Sequence, residues 1–156
     1  MTFAMKGALA LEHSKDIAII KDFGILYRTF LSFASKSISA TDLSFSDSIF
    51  LINIGECEGI SQEQISSALA IDQAAIARSV KSMSEKGYVR ADKSQMDRRL
   101  KALTLTDAGR ELYQHLSGLH AEWLRQVLAN LNPDEIRKFS ETIHNISDRA
   151  KAVVKS

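Results

Sequence analysis

One cysteine, almost no net charge and no long apolar run are the first features of this 156-residue chain, and each excludes a class of explanation. Cys57 alone makes no internal disulfide and cannot supply the paired thiols of a CxxC metal site. Apolar stretches such as Ile17–Ile20 are soon broken by charge, so none approaches the roughly 18 residues of a membrane span. Met1–Leu11 is mildly apolar but carries only Lys6 and lacks the full core and cleavage pattern of a signal peptide, so the expected compartment is the cytoplasm. Catalytic signatures are scarce too. The four histidines are His13, His115, His120 and His144; His115 and His120 lie five apart, the wrong spacing for a metal pair on one helix face. With no Gly-rich phosphate loop, H-E-x-x-H or nucleophile elbow, the expectation is no enzyme, no metal and no cofactor. What remains, 45% apolar and 25% charged, is one globular domain that buries roughly two-thirds of its unfolded surface.

The near-zero charge conceals a distribution. Residues 72–101 hold eight basic and four acidic side chains, a local excess of +4. Residues 1–60 are net −2, residues 61–71 net −1, and residues 102–156 balance. All the positive excess sits in one thirty-residue window, which is the form of an electrostatic footprint for a polyanion.

Apolar periodicity predicts a long first helix over 14–37, with Ile19, Phe23, Leu26, Phe30 and Phe33 on one stripe and Tyr27 and Leu31 beside it. A Ser/Thr-rich connection follows, and Ser46 or Asp47 is expected to cap a short helix running through Cys57 until Gly59 breaks it. Ser61 and Gln64 form a capping box for a helix with Ile65, Ala68 and Leu69 inward, and Asp72 caps the next after a turn at 70–72. That second helix keeps Ile76, Val80 and Met83 on one face and leaves Gln73, Ala74, Ala77, Arg78 and Lys81 on the other; Gly87 ends it. Two short strands, 88–91 and 100–105, join through a charged tip at 92–99. Thr106 then caps a long helix with a stripe of Leu112, Leu116, Leu119, Trp123 and Val127 and a second of Leu124, Leu128 and Leu131. Asn132, Pro133 and Glu135 are N-cap, N1 and N3 of a last helix whose stripe is Ile136, Phe139, Ile143, Ile146, Ala150 and Val153.

Helix, tight turn, helix and basic-tipped hairpin make a winged helix-turn-helix. The fold class is therefore mainly α with a small β-hairpin wing, between long N- and C-terminal helices. Three segments are expected within one domain: 1–44, an N-terminal dimerisation helix and connection; 45–110, a winged DNA-binding lobe; 111–156, C-terminal dimerisation helices. In a major groove, Gln73 and Arg78 suit adenine and guanine edges, and the methyls of Ala74 and Ala77 suit thymine methyls. The helix start at Ser61 and Gln62 offers backbone donors to a phosphate. Arg98 and Arg99 at the wing tip suit a narrow minor groove, with Lys81 and Lys93 completing the basic face.

At these residues the chain resembles the MarR family of transcription regulators. The resemblance is carried by Ser61–Leu69, by DQAAIARSVKSM from Asp72 to Met83, by EKGYV from Glu85 to Val89, and by Asp97-Arg98-Arg99 followed by LTLTDAGREL from Leu103 to Leu112. It covers about residues 45–116 by motif. By that similarity Asp97 orients the wing, Arg99 enters the minor groove and Arg78 lies on the recognition helix. Many relatives carry Ser or Thr where this chain has Ala74, Ala75 and Ala77, which places more of the readout on Gln73, Arg78 and DNA shape.

The resemblance further implies a homodimer on an inverted-repeat double-stranded operator. Doubly striped terminal helices independently call for a partner. It also implies a repressor released by a small aromatic or phenolic effector, in a crevice that His13, Tyr27, Arg28 and Trp123 could line. Two alternatives stand beside it: an oxidant-sensing regulator using Cys57, and a winged domain that binds protein. The protein-binding reading has no need of Arg78, Lys81 and Arg99.

Overall fold

A computed structural model describes the backbone of residues 13–93 and 101–155 and the side chains of residues 18–92 and 101–154. In chain order its elements are α1 (His13–Ser39), α2 (Phe45–Glu56), α3 (Gln62–Leu69), α4 (Gln73–Glu85), β1 (Val89–Lys93), β2 (Lys101–Leu105), α5 (Asp107–Val127) and α6 (Pro133–Lys155). This is the helix-rich order with one antiparallel hairpin that the periodicity predicts. Two compact units result, Met1–Ser37 and Ile38–Ser156. The described part of the first lies on α1, where Ile19, Ile20, Phe23, Leu26 and Tyr27 are exposed.

The second unit is built around α2. Phe50, Leu51, Ile52 and Ile54 are buried on it, together with Ile65 of α3, Ile76, Val80 and Met83 of α4, Val89, Leu103 and Leu105 of the hairpin, and Leu116 of α5. Each such side chain contributes about 1.5–3 kcal/mol through removal from water. The hairpin registers Val89 against Leu105 and Ala91 against Leu103, so one face feeds this core and Arg90 and Thr104 share the other. Gly55 permits α2 and α5 to touch: a Cβ there would lie 2.5 Å from the Tyr113 ring.

Local chemistry sets the helix starts. Ser61 Oγ accepts from Gln64 N while Ser61 N donates to Gln64 Oε1, and Asp72 Oδ1 accepts from Ala75 N. Thr106 caps α5 through Gly109 N, and Asn132 and Glu135 close a reciprocal pair over Pro133 at α6. Each of these matches its expected position. The α2 cap does not: Ser44 is the N-cap, not Ser46 or Asp47, because Asp47 serves as the N3 partner of a box with Ser44. Cys57 is accordingly the C-cap residue beyond the helix.

Other boundaries also move. Ala68 is exposed where an inward position was expected, since eight-residue α3 buries only Ile65 fully. Asp92 and Lys93 belong to β1 and not to the hairpin tip. The expected second stripe of the long helix is cut, because α5 ends at Val127; Leu128 is its C-cap and Leu131 lies in the turn before α6.

His120 of α5 is half-buried, and burial lowers its pKa against an opposing pull from Glu56. A folded pKa below the ordinary 6.5 means that the folded state binds fewer protons. Stability present above pH 6.5 is therefore lost as pH falls through the folded value. Melting temperature should drop further between pH 7.5 and 5.5 in the wild type than in His120→Gln; equal drops would assign the acid sensitivity elsewhere.

Candidate nucleic-acid interface

The turn between α3 and α4 is made at Ala70, whose φ of 53° is the left-handed conformation usually left to glycine. Ser66 Oγ donates to Ile71 O and Ile71 N donates to Ser66 O, so the turn is held from both sides. From there α4 runs with Ile76, Val80 and Met83 packed inward. Gln73, Ala74, Ala77, Arg78 and Lys81 are all exposed on its outer side, as the periodicity predicts. Lys81 lies 3.8 Å from Glu85, both well solvated, an ion pair of little energetic weight that a phosphate can displace. Arg78 makes no ion pair among the described residues.

The wing is tied to this helix pair by backbone. Gly59 N donates to Leu103 O and Leu103 N to Ile60 O, joining the entry of α3 to β2. Glu58 pairs with Arg110 of α5 across the same corner. At the other end Gly87, with φ +79°, turns the chain out of α4. Tyr88 N then donates to Met83 O, and Tyr88 O accepts from Thr106 N at 3.0 Å. Thr106 Oγ1 donates to Gly87 O at 2.7 Å and accepts from Gly109 N at 3.0 Å. The start of α5 presses so closely here that a Cβ on Gly109 would lie 2.1 Å from Tyr88 O. That contact is the physical reason for the glycine of the LTDAG run.

Several expected site residues are placed otherwise, or not at all. Ser61 is buried and its N–H is already committed to Gln64, so it is not a free donor for phosphate; the half-buried Gln62 at the first position of α3 is more open. Asp97, Arg98 and Arg99 lie outside the described residues, as do the side chains of Lys93 and His13. Tyr27 and Arg28 are exposed on the first unit, whereas Trp123 is half-buried on the second. Cys57 is exposed.

Sequence reasoning passed over Arg90 and Lys101, exposed on the two wing strands. The charge count contained both, but no motif singled them out. It also passed over Asp42. In the connection between α1 and α2, its carboxylate accepts a 2.9 Å hydrogen bond from Tyr88 OH and its carbonyl accepts from Lys86 Nζ. The hydrogen bond to Asp42 is the chief cause of a raised Tyr88 pKa, so the phenol stays protonated and donating.

Residues 41–100 match the model of the MarR family. The chain is 26% identical over 128 residues to the HTH-type transcriptional regulator BilQ of Clostridium symbiosum, covering 82% of this chain and 89% of that one. A MarR transcriptional regulator from Methanosarcina mazei superposes with a TM-score of 0.74 at 24% identity, over 86% of this chain and 97% of the other. A MarR family regulator from Listeria monocytogenes, solved with a 26mer DNA, gives 0.78 at 21% identity, over 85% and 89%. These structures share the winged-helix fold of α2 to α5. Motif order, fold and family match agree in their direction: over residues 41–100 the chain is similar to the MarR family, and its relatives and structural neighbours are transcriptional regulators of that kind.

Proposed function

We propose that the protein is a dimeric, sequence-specific double-stranded DNA-binding regulator of transcription, acting in the cytoplasm as a repressor released by a small effector. One observation carries the DNA-binding part. The outer face of α4 offers Gln73, Ala74, Ala77, Arg78 and Lys81 to solvent, while the inner face anchors it to the core. A helix so mounted fits a major groove, with Arg78 and Gln73 for base edges and the alanine methyls for thymine. The Listeria relative's complex with DNA supports the same use of the fold. Lys93, Arg98 and Arg99, with Asp97 to orient them, follow α4 in the sequence and are the residues proposed for a minor groove. A protein-binding use of this face has no comparable support, and the similarity to MarR-family regulators favours a DNA-binding role over catalysis.

Homodimerisation is supported by the terminal helices. Leu124, Val127, Leu131, Phe139 and Ile146 are large, apolar and exposed on α5, α6 and the turn between them. A groove between α5 and α6 is lined by Leu124, Leu128, Ile136, Phe139 and Ile143. Such a surface on a small protein calls for a partner, and a two-fold copy provides one with matched chemistry. No described helix is long and apolar enough to cross a membrane. Tyr27, Arg28, Trp123 and His13 are the residues proposed for the effector, of small aromatic or phenolic chemistry.

Selection of bound duplexes from a random pool tests the reading. An inverted repeat with half-sites about one helical turn apart, or a multiple of it, is expected; a pool without enrichment overturns it. On the selected duplex, Arg78→Ala should cost roughly 1–3 kcal/mol, and far less on random DNA. Arg99→Ala should remove about one unit from the salt slope if Arg99 meets phosphate, or the A·T preference if it reads the minor groove. Binding like wild type would take the wing out of the interface.

A further inference from the structure

We infer that Asp42 is a positioning residue for the recognition helix α4, acting through Tyr88; the inference rests on the DNA-binding reading above. Between the last residue of α4, Glu85, and the first of β1, Val89, only Lys86, Gly87 and Tyr88 intervene. These three residues decide the angle at which α4 leaves the wing. Two of them reach back 44 and 46 positions to one residue: Lys86 Nζ donates to Asp42 O, and Tyr88 OH donates to Asp42 Oδ1 at 2.9 Å.

The anchor point is itself stiff. Thr41 Oγ1 donates to Ile38 O at 2.6 Å and accepts from Leu43 N at 3.1 Å, so both neighbours of Asp42 are fixed by one hydroxyl. Leu43 is buried, and Ser44 opens the capping box of α2. Asp42 therefore presents a carbonyl and a carboxylate from a rigid corner. Two bonds to separate atoms of one residue resist rotation of the 86–88 segment, which a single contact would allow.

Met83 O, Thr106 and Gly109 hold the same segment from α4 and α5. Asp42 adds a link to this segment from the α1–α2 connection. Exposed hydrogen bonds of this kind add little to global stability. Their effect is on aim, and aim is read as discrimination between DNA sequences.

The test compares the intact protein with Tyr88→Phe, Asp42→Ala, the double variant and Asp42→Asn, each titrated against the selected duplex and a random duplex of equal length. Tyr88→Phe and Asp42→Ala should each lower the selected-to-random affinity ratio about three- to tenfold. The double variant should lose no more than either alone, with melting temperatures nearly unchanged. Asp42→Asn keeps an acceptor for the phenol while removing the same charge as alanine, so it should restore the ratio. Multiplying losses, equal losses on both duplexes, or an asparagine variant no better than alanine would each overturn the positioning role while leaving DNA binding intact. A wild-type protein with no preferred duplex would overturn both.

Discussion

Gly109→Ala is expected to destabilise the protein by about 3 kcal/mol or more, because the new methyl would meet a backbone carbonyl with no room to give. The added Cβ would sit 2.1 Å from Tyr88 O and 3.0 Å from Tyr88 C. Relief requires moving either the start of α5 or the exit of α4, and Thr106 binds the two together. A fall in melting temperature of about 6–12 °C should follow. Gly118 on the same helix gives the internal control, since nothing would lie within 4 Å of a Cβ there. There alanine should stabilise by about 0.5–1 kcal/mol through helix propensity. Opposite signs from the same substitution nine positions apart would establish the contact; a mild Gly109→Ala would show that α5 can slide at its base.

The second large effect concerns assembly. Phe139 and Ile146 are exposed on α6, about two helical turns apart on its apolar side. Phe139→Glu with Ile146→Glu should convert a dimer into monomers in sedimentation, with helicity retained. Affinity for a two-half-site operator should then drop by about 10²- to 10⁴-fold, because the second half-site no longer benefits from tethering. Affinity for a single half-site should hardly change. A double variant that still sediments as a dimer would place the interface away from α6.

Most of the helix-turn-helix was legible because its signals are local. Ser61 with Gln64, Asp72, Thr106, and Asn132 with Glu135 all cap where their side-chain chemistry says, and Ile76, Val80 and Met83 follow the helical period. Ser44 was missed because three of four neighbouring residues, Ser44, Ser46 and Asp47 around Phe45, all suit a helix start, and only the N3 geometry selects one. Ala70 in the left-handed region has no sequence signal, since glycine is the residue that announces such a turn. The Asp42–Tyr88 contact was hidden for another reason. Its partners are 46 residues apart, and nothing in local spacing brings an acid in a connection beside a tyrosine after α4. The charge window spans both α4 and the hairpin, and charge counting does not distinguish Arg78 on α4 from Arg90 on β1.

The tight crossing of Gly109 on Tyr88 also makes α5 a lever with its fulcrum in the wing. Its 21 residues span about 31 Å at 1.5 Å per residue. A sideways travel of about 3 Å at the Val127 end therefore corresponds to a tilt of roughly 5–6° at the base. Because the fulcrum is backbone against backbone, little of that tilt is absorbed as local slack, and α4 turns with it. In the proposed two-fold assembly the paired levers would swing in senses related by the two-fold axis, so that a displacement no larger than a methyl-to-methyl contact would change the gauge between the two copies of α4.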